Sequence, residues 1–230
     1  MPVYYLNNDY VAFPSPELAN PEGILAVGGD YTPDWILLAY QHGIFPWCNP
    51  DDPILWWSPD PRFVLFPSEL KVSKSMRPYF NQRKFEVTFD TQFETVMRNC
   101  MHANRKGQRG TWISEAMIEG YLEVHKLGFA HSVEVWQEEE LIGGLYGIAL
   151  GKVFFGESMF AHVSNASKFG FISLVRFLQK NNFQLIDCQQ ETPHLESLGA
   201  RSIPRNKFLK ILKENDLGET LRGKWAEIGK

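Results

Sequence analysis

Three features of the chain predict an α/β fold of the α+β kind: a mixed, largely antiparallel sheet joined to a small irregular N-terminal domain. The segments "AHSVEVWQ", "ELIGGLYGIAL" and "KVFFGESMF" read as strands, and the turns "EEE" and "GK" between them are too short for crossover helices. They therefore form an antiparallel meander. Segments with apolar residues at helical spacing, opened by Ser, Thr or Asn, flank that meander on both sides. The first sixty residues, by contrast, are rich in Pro, Gly and Trp and show little periodicity.

The elements follow in order. Thr32 and Pro33 open a helix that Gly43 stops, because a proline fits the first helical turn and a glycine suits the exit. The rest of residues 1–62 reads as turns and short extended pieces. "RFVLF" and "KFEVTF" are strands, and a helix starts after Asp90. "TWISEAMIEGYLEVHKLG" is a helix capped by Ser114 and ended by Gly128. After the meander, "SNASKFGFISLVRFLQKNN" is a helix behind a Ser/Asn cap, and "FQLIDCQ" is a strand. A further helix and "PRNKFLKILKEN" close the chain. The predicted division is a domain over 1–62 and a larger one over 63–230.

At 230 residues the chain can bury a real core. Its formal charge of −4 argues against general nucleic-acid binding. The charge is nevertheless uneven. "KVSKSMRPYFNQRK" from Lys71 carries five basic residues and no acid, "RNCMHANRKGQRG" from Arg98 adds four cations and His102, and "RSIPRNKFLKILK" from Arg201 is also acid-free. Three such runs in an acidic chain point to a polyanion site, although each alone reads as a solvated face. Cys48, Cys100 and Cys188 are odd in number and far apart, which suits a reducing compartment. No basic leader precedes an apolar stretch, and "WILLAY" is too short to cross a bilayer, so a soluble cytoplasmic protein is expected. No histidine pairing of the H-E-x-x-H kind, phosphate-binding glycine loop or G-x-S-x-G elbow occurs. No metal is predicted.

Strand alternation sorts the polar residues of "FQLIDCQ". Asp187 and Gln189 share a face with Leu185, while Cys188 turns to the other with Ile186, as a small apolar side chain. Without a partnering base the Cys188 thiol is a poor nucleophile. Glu157 interrupts the aromatic run "VFFGESMF" in the same way that Asp187 ends an apolar one. Two carboxylates on core strands of one sheet suit general-base work or recognition of a cation. Most of the seven tryptophans read as core of the first domain, but Trp112, directly after "RKGQRG", is placed to stack on a nucleobase.

The words "GILAVGGD", "LLAYQHGIFPW", "ILWWSPDPR", "TWI", "GFAHSVEVW", "LIGGLYGIALGKVFFGESMF", "NASK", "LIDCQ", "HLESLGA" and "IPR" occur in this order from about residue 13 to 208. In them the chain resembles the leucyl/phenylalanyl-tRNA–protein transferase family. The resemblance implies a GNAT-like acyltransferase fold beside a family-specific N-terminal domain. It implies transfer of leucine or phenylalanine from aminoacyl-tRNA to proteins beginning with Arg or Lys, which marks them for degradation through the N-degron pathway. By motif it makes Asp187, Gln189 and Glu157 active-site residues. It makes Trp47 and Trp112 contacts to the tRNA 3′ adenosine, and Phe154 and Leu145 walls of the aminoacyl pocket.

An aminoacyl ester is already activated, so holding an amine against its carbonyl is most of the task, and no metal or soluble cofactor is expected. Asp187, oriented by Gln189, is the candidate to accept or relay the amine's proton. The alternative gives Asp187 or Glu157 the cationic N-terminal side chain and leaves the proton to a ribose hydroxyl of the tRNA. An apolar pocket discriminates weakly by size, so methionine is expected as a poorer substrate. The rivals are a coenzyme A-dependent N-acetyltransferase, disfavoured by the glycine-free "AHVSNASK" after the meander, and an RNA-binding module, which leaves both acids without a role. His194 stays unassigned.

Overall fold

The computed structural model describes residues 3–103 and 111–228. The first strands are β1 (Tyr4–Leu6), β2 (Ile24–Gly28), β3 (Phe45–Pro46) and β4 (Leu55–Trp57), with helix α1 (Pro33–Gln41) between β2 and β3. The segment expected to be irregular thus holds a four-stranded sheet of order β1-β2-β4-β3, built from very short strands. Its own core is aromatic: Trp35 of α1 stacks on Trp56 of β4 at 6.3 Å, and Phe13 meets both rings edge-on. Helix α1 starts at Pro33 and ends before Gly43, which takes the left-handed conformation at φ 72°.

The larger sheet begins at Arg62. Its elements are β5 (Arg62–Leu65), α2 (Arg77–Asn81), β6 (Glu86–Phe89), α3 (Phe93–His102), α4 (Glu115–Lys126), β7 (Ala130–Gln137), β8 (Glu140–Leu150) and β9 (Val153–Ala161). Then follow α5 (Ala166–Lys180), β10 (Leu185–Gln189), α6 (Pro193–Glu196), β11 (Arg201–Ile203), α7 (Arg205–Glu214) and α8 (Trp225–Ile228). The seven strands run β11-β5-β10-β9-β8-β7-β6, with the meander β7-β8-β9 antiparallel and β9-β10 parallel. A parallel pair needs a crossover, and α5 supplies it. Ser114 caps α4, its Oγ accepting from the Met117 amide at 3.1 Å.

Two apolar clusters cover the two faces of this sheet, and alternation along β8 separates them. Tyr146, Ile148 and Leu150 join α1, α3, α4 and α7 on one face, whereas Leu145 and Ala149 join α5 on the other. The N-terminal part shares the first cluster through Ile36, Tyr40 and Phe45.

Three local expectations differ from the structure. Asn165 precedes α5 in a left-handed conformation and makes no capping bond; its amide donates to the Tyr79 hydroxyl instead. Strand β11 was not expected, since its three residues are too few for a periodic signal. The chain also does not close at α7. Trp225 of α8 is fully buried, stacks on His131 at 3.8 Å, and donates its backbone N–H to Asp90.

Candidate active site

Strands β9 and β10 are in register only from Leu185 opposite Val153 to Asp187 opposite Phe155. At that point β10 bulges against β5, so that Asp187 faces Val64 while Gln189 faces Phe63. Gln189 takes a left-handed backbone at φ 61°, a conformation that L side chains adopt at a cost. Beyond the last paired residues the two strands are joined by side chains: Gln189 Nε2 donates to Glu157 Oε1 at 2.8 Å. A cavity of about 420 Å³ opens at this gap.

The cavity brings together every residue the sequence nominated: Asp187, Gln189, Glu157, Trp47, Trp112, Phe154 and Leu145. Leu145 and Phe154 are nearly or fully buried and, with Phe171 and Ile186, form an apolar wall from the α5 side of the sheet. Gly147 makes room for it, because a Cβ there would lie 2.6 Å from Phe154 Cζ. Trp47 and Trp112 are half-buried. Trp47 is steadied by Trp57, whose indole N–H donates to its carbonyl at 2.6 Å and whose ring lies 5.3 Å away.

Glu157 is held by neutral donors. The Tyr40 hydroxyl from α1 donates to Oε1 at 2.6 Å, and the Tyr121 hydroxyl from α4 donates to Oε2 at 3.1 Å. The two hydroxyls also meet at 2.6 Å. Three oxygen contacts therefore share only two hydroxyl protons while Glu157 is ionised, and a proton taken up by Glu157 would complete the ring. Burial raises its pKa to about 7, opposed by the hydrogen bonds from Tyr40, Gln189 and Tyr121 and assisted by the charge of Asp187. Burial also keeps both tyrosines well above their ordinary range, so they remain donors.

Asp187 meets a cation instead. Its Oδ1 accepts from Arg62 Nε at 2.8 Å and from the Gln189 amide at 3.0 Å, and its Oδ2 accepts from Arg62 Nη2 at 2.6 Å. Both side chains of this pair are inaccessible to solvent. Cys188 lies on the other face, as alternation predicts, and packs against the α5 cluster. Burial, then the charge of Asp187, pushes its thiol far up. His194 also lines the cavity; its Nε2 is buried without a protein partner among the described residues.

Sequence reasoning missed Arg62, Tyr40 and Tyr121. Tyr121 sits in the stripe Met117, Ile118, Tyr121 and Val124, whose spacing marks a core helix and says nothing about where a hydroxyl bonds. Tyr40 is concealed in the same way beside Ile36. Arg62 opens an apolar strand, and a lone cation there was the available signal that something buried answers it.

The basic runs fare unequally. Arg98 pairs with Glu94 and Glu115, Arg201 with Glu69, and Lys210 with Glu214. Two stretches that are acid-free in sequence thus meet acids in space. The run from Lys71 to Lys84 has no ion-pair partner among the described residues. Residues 104–110 of the middle run lie outside the described residues. Among the described residues no group of three or more His, Cys, Asp and Glu could hold a metal ion, and no helix is long and apolar enough to cross a membrane.

Comparison with known proteins now adds to this geometry. A family model described as leucyl/phenylalanyl-tRNA protein transferase matches residues 64–213, and one described as the N-terminal domain of that transferase matches residues 29–60. A leucyl/phenylalanyl-tRNA–protein transferase of Flavobacterium johnsoniae is 57% identical over 211 residues, spanning 92% of this chain and 99% of that one. One of Myxococcus xanthus is 51% identical over 228 residues, spanning 99% and 97%. Among solved structures, L-PGS from Bacillus licheniformis matches at 12% identity and TM-score 0.41, covering 66% of this chain and 48% of that one. A GCN5-related N-acetyltransferase from Kribbella flavida matches at 11% and 0.36, covering 74% and 60%. These two similarities are too weak to bear on fold or substrate. The two family models and the identity across nearly the whole chain show that the protein belongs to the leucyl/phenylalanyl-tRNA–protein transferase family.

Proposed function

We propose that this aminoacyltransferase moves leucine or phenylalanine, and methionine less well, from aminoacyl-tRNA to the α-amino group of proteins beginning with Arg or Lys. The products are marked for degradation through the N-degron pathway. The observation that carries the proposal is the single cavity in which an apolar wall, two half-buried tryptophans and a carboxylate near pKa 7 converge. Leu145, Phe154, Phe171 and Ile186 would take the aminoacyl side chain. Trp47 and Trp112 would stack on the terminal adenosine, a contact that every base can offer. The unpaired cations from Lys71 to Lys84 suit the phosphates of the acceptor stem.

The chemistry needs an unprotonated amine. An α-amino group has a pKa of about 7.7–8.0, close to that of Glu157, so passing its proton to this carboxylate is nearly balanced near neutral pH. The freed nitrogen attacks the ester carbonyl, the C–N bond forms, and the bond to the tRNA ribose oxygen breaks. That oxygen leaves with the proton Glu157 took, the nitrogen sheds its second proton to water as the amide forms, and the carboxylate is restored. Asp187, already answered by Arg62, acts in this scheme as the acceptor that fixes Gln189, and Gln189 orients Glu157. No metal or soluble cofactor enters.

The same reading places the enzyme in the cytoplasm, where charged tRNA is found, and divides the chain into residues 1–62 and 63–230. The larger sheet starts at Arg62, one residue before that boundary. The test is to mix the protein with Leu-tRNA and an Arg-initiated peptide and to weigh the peptide. A gain of one leucyl residue is expected. An unchanged peptide overturns the proposal, and acetylation from acetyl-CoA would instead establish an N-acetyltransferase.

A further inference from the structure

Arg62 does not line the cavity, yet it is the fully buried residue on which the geometry there depends. Its guanidinium lies 4.6 Å from the Phe45 ring and 4.7 Å from the Phe208 ring, so β3 and α7 brace it from two parts of the fold. A buried ion pair is a weak source of stability, because removing two charges from water offsets much of their attraction. Stability therefore gives little reason for a guanidinium among aromatic rings. Its bonding does.

The Asp187 oxygen that accepts from Arg62 Nε is also the one that accepts the Gln189 amide. That second bond closes the bulge in which Gln189 is left-handed, and the bulge sends the Gln189 side chain across the gap between β9 and β10 to Glu157. A carboxylate free to rotate would hold the bulge loosely. Nε and Nη2 together remove that freedom, as a bidentate fork does and an ammonium does not.

Resting on the transfer reaction proposed above, we propose that Arg62 is a positioning residue: its two-point grip on Asp187 holds the Gln189 bulge, and so keeps the Gln189 amide on Glu157. Other titratable groups face Glu157 from every side. They are Tyr40 on α1, Tyr121 on α4, Tyr146 on β8 beside Tyr121, and Asp187 on β10 with Arg62 behind it. Loss of the Gln189 donor removes a bond that favours the charged carboxylate, so the pKa of Glu157 moves up.

The experiment compares wild type, Arg62→Lys, Arg62→Met and the double variant Arg62→Met/Asp187→Leu in transfer from Leu-tRNA to an Arg-initiated peptide as a function of pH. All three variants should lose kcat by on the order of 100-fold, the scale of a misplaced reacting group. The KM for Leu-tRNA should hold within about threefold, since the tryptophans and the apolar wall are untouched. The pH of half-maximal rate should move upward. The double variant leaves neither charge of the pair behind, so it should regain thermal stability relative to Arg62→Met without regaining kcat. Recovery of kcat in the double variant would overturn the proposal, as would a wild-type rate and pH profile in Arg62→Lys. A wild-type protein that fails to transfer would sink the proposed reaction alone. The positioning claim is then read from the Gln189 side-chain amide by NMR of glutamine-labelled protein. Its hydrogen-bonded signal must disappear in the double variant; a signal that persists overturns the claim.

Discussion

Asp187 and Glu157 are acids on neighbouring parallel strands of one sheet, and the protein meets the cost of burying them in opposite ways. Asp187 is given a full positive charge, two guanidinium donors and a backbone amide, all out of contact with water. Glu157 is given a carboxamide and two phenol hydroxyls, none of them charged. A counter-charge fixes a carboxylate in place, whereas neutral donors leave its charge close to the point of being lost. One arrangement builds the frame and the other keeps a proton available at the cavity.

The largest predicted effects follow from exchanging each acid for its amide. Glu157→Gln keeps the shape and removes the proton acceptor, so kcat should fall by roughly 10²- to 10⁴-fold with the melting temperature little changed. Asp187→Asn strands the buried Arg62 charge and should cost about 3–5 kcal/mol of stability, measured by chemical denaturation, as well as activity. If both variants lost activity while keeping full stability, the distinction between frame and acceptor would fail.

The two acids were not equally legible in the sequence. Alternation along "LIDCQ" placed Asp187 opposite Cys188 because the strand period is local, and it read the thiol as a packing group for the same reason. The partners were not local. Arg62 lies 125 residues from Asp187, and Tyr40 lies 117 residues from Glu157, so no window of sequence joins them. The bulge at Gln189 was equally hidden, since a glutamine carries none of the signal a glycine would give for a left-handed turn. The meander was plain from its turns; the short strands of the N-terminal sheet, the longest of five residues, gave no period to read. The resemblance to the transferase family supplied the candidate residues, and the geometry shows that they share one cavity and that its two acids have different partners.

Intermediate effects concern the tyrosines and pH. Tyr40→Phe removes a 2.6 Å bond to the carboxylate and should lower kcat by about tenfold; Tyr121→Phe, at 3.1 Å, should cost less. Each loses a donor to the charged form, so the midpoint of the kcat profile should move up in both. In the wild type kcat should rise with pH around a midpoint near 7 as Glu157 ionises. Stability should run the other way. The folded state holds this proton more tightly than the unfolded chain, so the group's contribution is complete below about 4.5 and is lost as pH passes about 7. Glu157→Gln should flatten that decline, and thermal melts across the range would measure it.

The smallest effect is predicted at Cys188, the side chain between the two polar residues of β10. Its thiol meets the α5 cluster and the cavity wall, and burial beside the charge of Asp187 holds it in the neutral form. A nucleophilic thiol needs the opposite surroundings, an accessible site with a nearby cation or base to favour the thiolate. Cys188→Ala removes one sulfur from an apolar surface, so kcat should stay within about threefold, with KM for Leu-tRNA shifting by no more than a similar factor. A loss as large as that of Glu157→Gln, together with a mass increase of one aminoacyl group on Cys188 in enzyme quenched during turnover, would mean that the strand presents its thiol to the ester. The division of labour between the two faces of β10 would then have to be reversed.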